Sequence, residues 1–140
     1  MAALSAPRLQ TAQLGNAAVI SKWRVKVKGG VKIYSGALCC LNGGYLAPWT
    51  AATGLKKAGR ACATYDNTSG SSGDITGEVE RGTFAWDIGT SSDALTDADI
   101  GATVYGIDDH TVGKTDGSAA RSACGTLMQL EDGMAYVETY

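Results

Sequence analysis

The sequence predicts an all-β (β-rich) fold: a compact barrel or sandwich of about ten short strands, with one short helical turn and an extended N-terminal arm. Three observations lead to this prediction. The 140 residues include 19 Gly but only two Pro and one Phe, a composition typical of short strands joined by tight turns. Polar and apolar residues alternate in several segments, which is the period of a strand. The length fits a single domain with one core.

The N-terminal segment and the first strand differ sharply in pattern. Residues 1–18 form the predicted arm, because this Ala-rich stretch has no helical or strand period and carries one charge, Arg8. Residues 19–140 form the predicted β-rich domain. Basic and apolar residues alternate without interruption over residues 22–28, which predicts a half-buried strand with its cations on the exposed face. Trp23 is expected on the opposite face of that strand.

The middle of the chain is predicted to consist of strands separated by turns. The predicted strands are residues 37–41, 45–47, 55–65, 74–80 and 82–88. Residues 42–44, Asn-Gly-Gly, predict the turn of a tight hairpin between the first two, because both central positions of the favoured turn need positive φ. Residues 49–55 are expected to be a loop. The polar, Gly- and Ser-rich residues 66–73 predict the most exposed loop.

The last third contains the predicted helical turn and four further strands. Thr96 can cap a turn over residues 97–100, whose carboxylates are favourable near the N-terminal end of a helix dipole. Asp132 and Gly133 favour the tight turn of a final hairpin. The predicted strands are residues 102–107, 111–114, 124–130 and 134–138.

The four cysteines lack the spacing of a disulfide framework or a zinc site. Cys39 and Cys40 are adjacent, so on a strand they point to opposite faces, and Cys62 and Cys124 are isolated. We expect all four thiols to be reduced, small and mostly buried, which fits synthesis in a reducing cytoplasm. No metal and no cofactor is predicted.

The charges are divided by position along the chain. Residues 1–60 hold nine Lys or Arg and no acidic residue, whereas residues 61–140 hold three basic and fourteen acidic residues. The two parts therefore carry charges of +9 and −11, which sum to the net charge of −2. Such asymmetry indicates contact with nucleic acid, a membrane or a complementary protein, unless the two halves neutralise each other within one fold. No apolar run approaches the roughly 18 to 20 residues that span a bilayer, and no export signal is recognisable at the N-terminus.

The residues suited to catalysis are few. His110 is the only histidine, so a catalytic triad or a histidine-rich metal site would have to include it. Asp108, Asp109 and His110, with Asp116 nearby, offer cation ligands in principle, but this string is more typical of a polar turn between strands. The chain contains neither a phosphate-binding Gly-rich motif nor a dinucleotide-binding one. We predict no enzymatic activity and no catalytic residue.

Two kinds of binding function remain. The basic strand spaces its cations by about 6.5 to 7 Å, and with Trp23 or Trp49 as a stacking surface it would resemble a β-barrel module for single-stranded nucleic acid. The acidic total and the placement of Trp23 away from the cations disfavour that function. The other function is protein assembly, for which an arm, a basic strand and an acidic remainder provide strand addition and charge complementarity.

Most of the chain, from about residue 25 to residue 138, resembles the capsid cement, or head decoration, proteins of tailed bacteriophages. Three blocks carry the resemblance. They are GVKIYSGAL (30–38) with GYLAP (44–48); GLKKAGRA (54–61) with YDN (65–67) and GEVERGTF (77–84); and LTDADIGATVY (95–105) with DDHTV (108–112) and RSACG (121–125). The sequence departs from the family pattern at Cys39 and Cys40, where aliphatic or β-branched residues are expected, and in its longer Ala-rich start.

The resemblance implies a small β-rich protein that lies on the outside of the assembled head, commonly as a trimer, and stabilises the lattice of major capsid protein. It implies no catalysis and no cofactor. The expected partners are the major capsid protein and further copies of the chain, without nucleic acid or membrane, and the expected location is the outer surface of the virion after synthesis in the host cytoplasm. The predicted capsid or intersubunit contact residues are Arg8, Lys22, Trp23, Arg24, Lys26 and Lys28.

Overall fold

The computed structural model describes residues 21–139. Within this range the chain forms twelve β-strands and two short 3-10 helices, Ser91–Asp93 and Asp97–Asp99, which confirms the all-β prediction. The predicted arm, residues 1–18, and Arg8 lie outside the described residues. The strands are β1 (Ser21–Lys26), β2 (Lys32–Ile33), β3 (Leu38–Asn42), β4 (Tyr45–Pro48), β5 (Lys56–Ala61), β6 (Tyr65–Asp66), β7 (Thr76–Arg81), β8 (Thr83–Ile88), β9 (Thr103–Gly106), β10 (Thr111–Gly113), β11 (Ala123–Glu131) and β12 (Met134–Glu138).

The strands are arranged as a closed barrel beside a strongly curved sheet. The barrel has the order β10-β8-β12-β11-β9, the curved sheet has the order β1-β7-β5-β3-β4, and β2 pairs with β6 alone. A parallel bridge between Val27 and Leu46 joins the first and last strands of the curved sheet at one end. The Lys28 N–H donates to the Leu46 carbonyl over 2.9 Å at the same place. The curved sheet is therefore nearly closed as well.

Strand β3 separates two hydrophobic cores. Cys40 lies in the core of the closed barrel, together with Trp86 and Leu127, whereas Cys39 lies in the core of the curved sheet, together with Val79. This confirms that the adjacent cysteines point to opposite faces, as strand geometry requires. All four cysteines are free thiols, and Cys39, Cys40 and Cys124 are buried.

Several predicted element boundaries were wrong. The predicted strand 55–65 divides into β5 and β6, and the two-residue strands β2 and β6 had no periodic signal. Asn42 belongs to β3, so the hairpin turns at Gly43 and Gly44, with φ of 61° and 87°. The predicted loop 49–55 was correct, since it lies between β4 and β5, but Trp49 is 1% exposed in the barrel core and offers no stacking surface. Its backbone N–H donates to the Leu38 carbonyl over 2.9 Å, which holds this residue against β3.

Other turns follow the sequence more closely. Asp132 and Gly133 form the predicted hairpin turn between β11 and β12, with φ of 54° and 74°. The predicted helical turn is the second 3-10 helix, where the Thr96 N–H donates to the Asp99 carboxylate over 2.8 Å. No helix of the described residues is long and apolar enough to cross a membrane.

Candidate functional site

The basic strand β1 lies at an edge of the curved sheet. It pairs with β7 in antiparallel register, and within the described residues no strand pairs with its other side between Ser21 and Lys26. The side chains of Lys22, Arg24 and Lys26 are exposed. The prediction of a strand with cations on its exposed face is therefore confirmed for these three residues.

The backbone groups of β1 alternate between β7 and solvent. The Val27 N–H donates to the Ile75 carbonyl on the β7 side, whereas the Lys28 N–H donates to Leu46 on the opposite side. Backbone groups of successive residues in a strand point to opposite sides, so Trp23 and Val25 face β7 like Val27. The N–H and C=O groups of Lys22 and Arg24 and the N–H of Lys26 consequently face outward along the free edge, whereas the Lys26 C=O lies at the parallel bridge of Val27 with Leu46.

Trp23 lies on the same face of β1 as Val25 and Val27 but is much more exposed. Val27 is fully buried in the core of the curved sheet, and Val25 packs against that core. The Trp23 side chain is 55% exposed, which is more than a position on the buried face of a half-buried strand predicted. The bridge to Leu46 of β4 lies at Val27, one residue past the end of β1, and Trp23 lies four residues before it.

The basic and acidic parts of the sequence meet within one chain. The register of β1 and β7 places Lys22 opposite Glu80 and Arg24 opposite Glu78, a favourable cross-strand arrangement. Glu80 also forms an ion pair with Arg60, whose Nη2 lies 2.5 Å from Oε1. The cations of β1 are thus partly balanced on the β7 side, while the free edge has no acidic strand beside it among the described residues.

A shallow depression of about 350 Å³ adjoins the start of β1. Lys22, Arg60, Cys62 and Glu80 contribute to its lining. Burial and the nearby carboxylates Glu80 and Glu78 raise the pKa of the Cys62 thiol above its ordinary value. Cys62 is therefore protonated at neutral pH and does not have the features of an activated nucleophile.

A second depression, of about 280 Å³, shares Ser35 and Gly36 with the first. Tyr34 lines it and is 58% exposed, and the Lys32 ammonium lies 5.0 Å from the centroid of the Tyr34 ring. From the sequence, Tyr34 was expected among the large residues that fill the core, and its exposure shows that this expectation was wrong. Alternation could have placed it, because Tyr34 follows the fully buried Ile33 and so lies on the exposed face with Lys32.

His110 lies on the far side of this second depression, in the connection between β9 and β10. Its Nδ1 is 2.9 Å from the Asp87 carboxylate, and its Nε2 is 3.5 Å from that of Asp108. The hydrogen bond with Asp87, with the charges of Asp108 and Asp109, raises the pKa of His110. Ligand atoms of Asp108, Asp109 and His110 lie within 4.8 Å of one another. However, the backbone N–H of His110 donates to the Asp108 carboxylate, which is typical of a turn, so we interpret the group as a polar turn.

The structure brings together four of the six predicted contact residues, namely Lys22, Trp23, Arg24 and Lys26 on β1. Lys28 is half-buried beyond the end of the strand, and Arg8 lies outside the described residues. No family model, no curated protein and no solved structure matches this chain.

Proposed function

We propose that this protein is a head decoration protein of tailed bacteriophages, which binds the outer surface of the assembled capsid as a homotrimer, stabilises the lattice of major capsid protein and catalyses no reaction. The observation that carries this function is the exposed Trp23 indole between Lys22 and Arg24 on an edge strand. The sequence resemblance over residues 25–138 supports the capsid as partner. The all-β fold is the fold that the resemblance implies.

The composition around Trp23 favours contact with a protein. Trp and Arg are enriched among the residues that contribute most to the affinity of protein interfaces, and Arg24 follows Trp23 directly. Covering the exposed part of the indole would contribute on the order of 3 kcal/mol from apolar burial. The flanking cations chiefly set orientation and association rate, because exposed charge is partly screened by salt.

The geometry favours protein over single-stranded nucleic acid. Trp23 and the cations Lys22 and Arg24 lie on opposite faces of β1, so an aromatic platform and a phosphate track do not share a surface. Glu78 and Glu80 lie opposite Arg24 and Lys22 on β7, so the positive surface is only one strand wide. A nucleic-acid groove requires a continuous positive surface, which β1 and β7 do not form together.

The direct test is co-sedimentation of the protein with expanded, undecorated heads built from the major capsid protein of the same phage. We expect Trp23→Ala to lower occupancy about tenfold, whereas the matched control Met128→Ala, which truncates a side chain 46% exposed on β11, should leave it unchanged. Light scattering of the protein released from heads should give the trimer mass. Retention on single-stranded DNA that falls steeply with salt, together with no binding to heads, would instead support the nucleic-acid module.

A further inference from the structure

The free edge of β1 is long enough to pair with another strand. Among the described residues it extends from Ser21 to the Lys26 N–H, somewhat less than about 20 Å at the usual rise per residue, and ends at the parallel bridge of Val27 with Leu46. Lys22 and Arg24 direct both their N–H and C=O groups along this edge, and Lys26 directs its N–H. Exposed edges of this kind are templates for strand addition.

The side chains of β1 define what an added strand must carry. A residue that exchanges hydrogen bonds with Lys22 or Arg24, or accepts one from the Lys26 N–H, lies directly opposite it and projects its side chain to the same face of the sheet. Carboxylates at these positions would complement the three cations. The residues between them would lie beside Trp23 and Val25 on the apolar face, so the favoured segment alternates acidic and apolar residues.

The same charge pattern disfavours two other occupants. Antiparallel pairing with β1 of a second copy would place Lys22 opposite Lys26 and Arg24 opposite Arg24, and like charges directly opposite each other destabilise a sheet. Residues 1–20 of a neighbouring copy contain Arg8 and no carboxylate. Neither segment supplies the negative charge that the edge requires.

We propose that β1 binds an extended acidic segment of a different protein as an additional strand of the curved sheet. Assigning this segment to the major capsid protein rests on the proposed function; the alternation of acidic and apolar residues follows from β1 itself. Main-chain hydrogen bonds supply part of the affinity, Trp23 supplies apolar contact, and the three cations select the partner.

Hydrogen exchange with a synthetic peptide tests strand addition without capsids. The probe is a blocked heptapeptide in which Glu and Val alternate, and the control peptide has the same composition with its Glu residues consecutive. The alternating peptide at millimolar concentration should slow exchange at the amides of Lys22, Arg24 and Lys26, while those of Trp23 and Val25 are already protected by β7. Unchanged exchange at the three outward amides would overturn the proposal.

Two substitutions at one position separate backbone pairing from charge. Arg24→Gln removes the cation, whereas Arg24→Pro removes the cation and the outward N–H without breaking a bond to β7. With folding checked by circular dichroism, the Pro variant should bind the peptide and the heads about tenfold more weakly than the Gln variant. Equal binding by the two variants would overturn strand addition while decoration stands. Peptide-induced protection of the wild-type edge without any binding to heads would instead overturn the proposed function alone.

Discussion

The side-chain amide of Asn67 donates a hydrogen bond to the backbone carbonyl of Lys28 over 3.1 Å, at the point where the free edge of β1 ends. The same nitrogen lies 3.3 Å from the Val27 carbonyl and 3.0 Å from that of Ser71, and Asn67 is 3% exposed. The loop predicted as the most exposed segment therefore contains a buried anchor. Asn67 holds this loop against the end of the first strand.

Replacing Asn67 with Asp should destabilise the protein by about 3 kcal/mol. The substitution changes little volume but turns a donor that faces three carbonyl oxygens into a buried acceptor that carries charge. Urea unfolding followed by fluorescence measures the change. Asn42→Asp, the same substitution at an exposed hairpin position, should shift the free energy of unfolding by less than about 0.5 kcal/mol. Equal effects of the two substitutions would contradict the anchoring role.

Gly106 is required by its contact with Trp49. A Cβ atom added to Gly106 would overlap the Trp49 indole at Nε1 and Cδ1, in the buried core of the barrel. Gly106→Ala should therefore destabilise the protein by about 3 kcal/mol, because a close-packed core cannot accommodate the added methyl group without strain. In a double-mutant cycle, Trp49→Phe should reduce that loss by shrinking the ring. Strictly additive unfolding energies would show that the two residues do not compete for space.

The hydrogen bond between His110 and Asp87 predicts a pH-dependent contribution to stability. Because Asp87, Asp108 and Asp109 raise the pKa of the folded-state imidazole above 6.5, the contribution is fully present below that value and is lost as the pH rises through the higher folded pKa. An NMR titration should place the midpoint of His110 above 6.5. Asp87→Asn should lower it, and Asp97→Asn, in the second 3-10 helix, should not. A wild-type midpoint below 6.5 would contradict the contact.

The elements that could be predicted from the sequence are those fixed by local signals. Alternation located β1, and the Asp132-Gly133 turn located the hairpin of β11 and β12. The division into two cores could not be predicted in this way, because it depends on non-local pairing, such as the parallel contact of β10 with β8. The burial of Trp49 was not predicted for the same reason, since it arises from a contact with β3 and not from an alternation of apolar and polar residues.

The candidate site was predictable in composition but not in exposure. Alternation correctly assigned Lys22, Arg24 and Lys26 to one face, but it cannot show where a neighbouring strand ends. Trp23 lies four residues before the bridge of Val27 with Leu46 of β4, and it is 55% exposed whereas Val27 is fully buried. The sequence likewise left open whether its basic and acidic parts meet within one chain, and the pairing of β1 with β7 shows that they do in this sheet.

Neutralising β1 should weaken binding to heads more than it weakens the fold. In the variant Lys22→Gln, Arg24→Gln, Lys26→Gln, two exposed cations opposite Glu80 and Glu78 are lost, and Glu80 keeps its ion pair with Arg60, so the loss of stability is about 1 kcal/mol or less. Its unfolding midpoint in urea should therefore fall only slightly. Binding to heads should weaken most at low salt, and the difference from wild type should shrink as ionic strength rises, because exposed charges are screened over about 8 to 10 Å at physiological salt.

A control variant with the same net charge tests whether binding depends on the position of these cations or only on their number. It replaces three exposed lysines elsewhere, Lys32, Lys56 and Lys114, with Gln. If the edge of β1 meets an acidic partner strand, the control should keep most of its occupancy at low salt, because its missing charges lie away from that edge. An equal loss in both variants would mean that net charge alone drives association. Unfolding of the β1 variant would mean that its cations serve chiefly to hold β1 against β7.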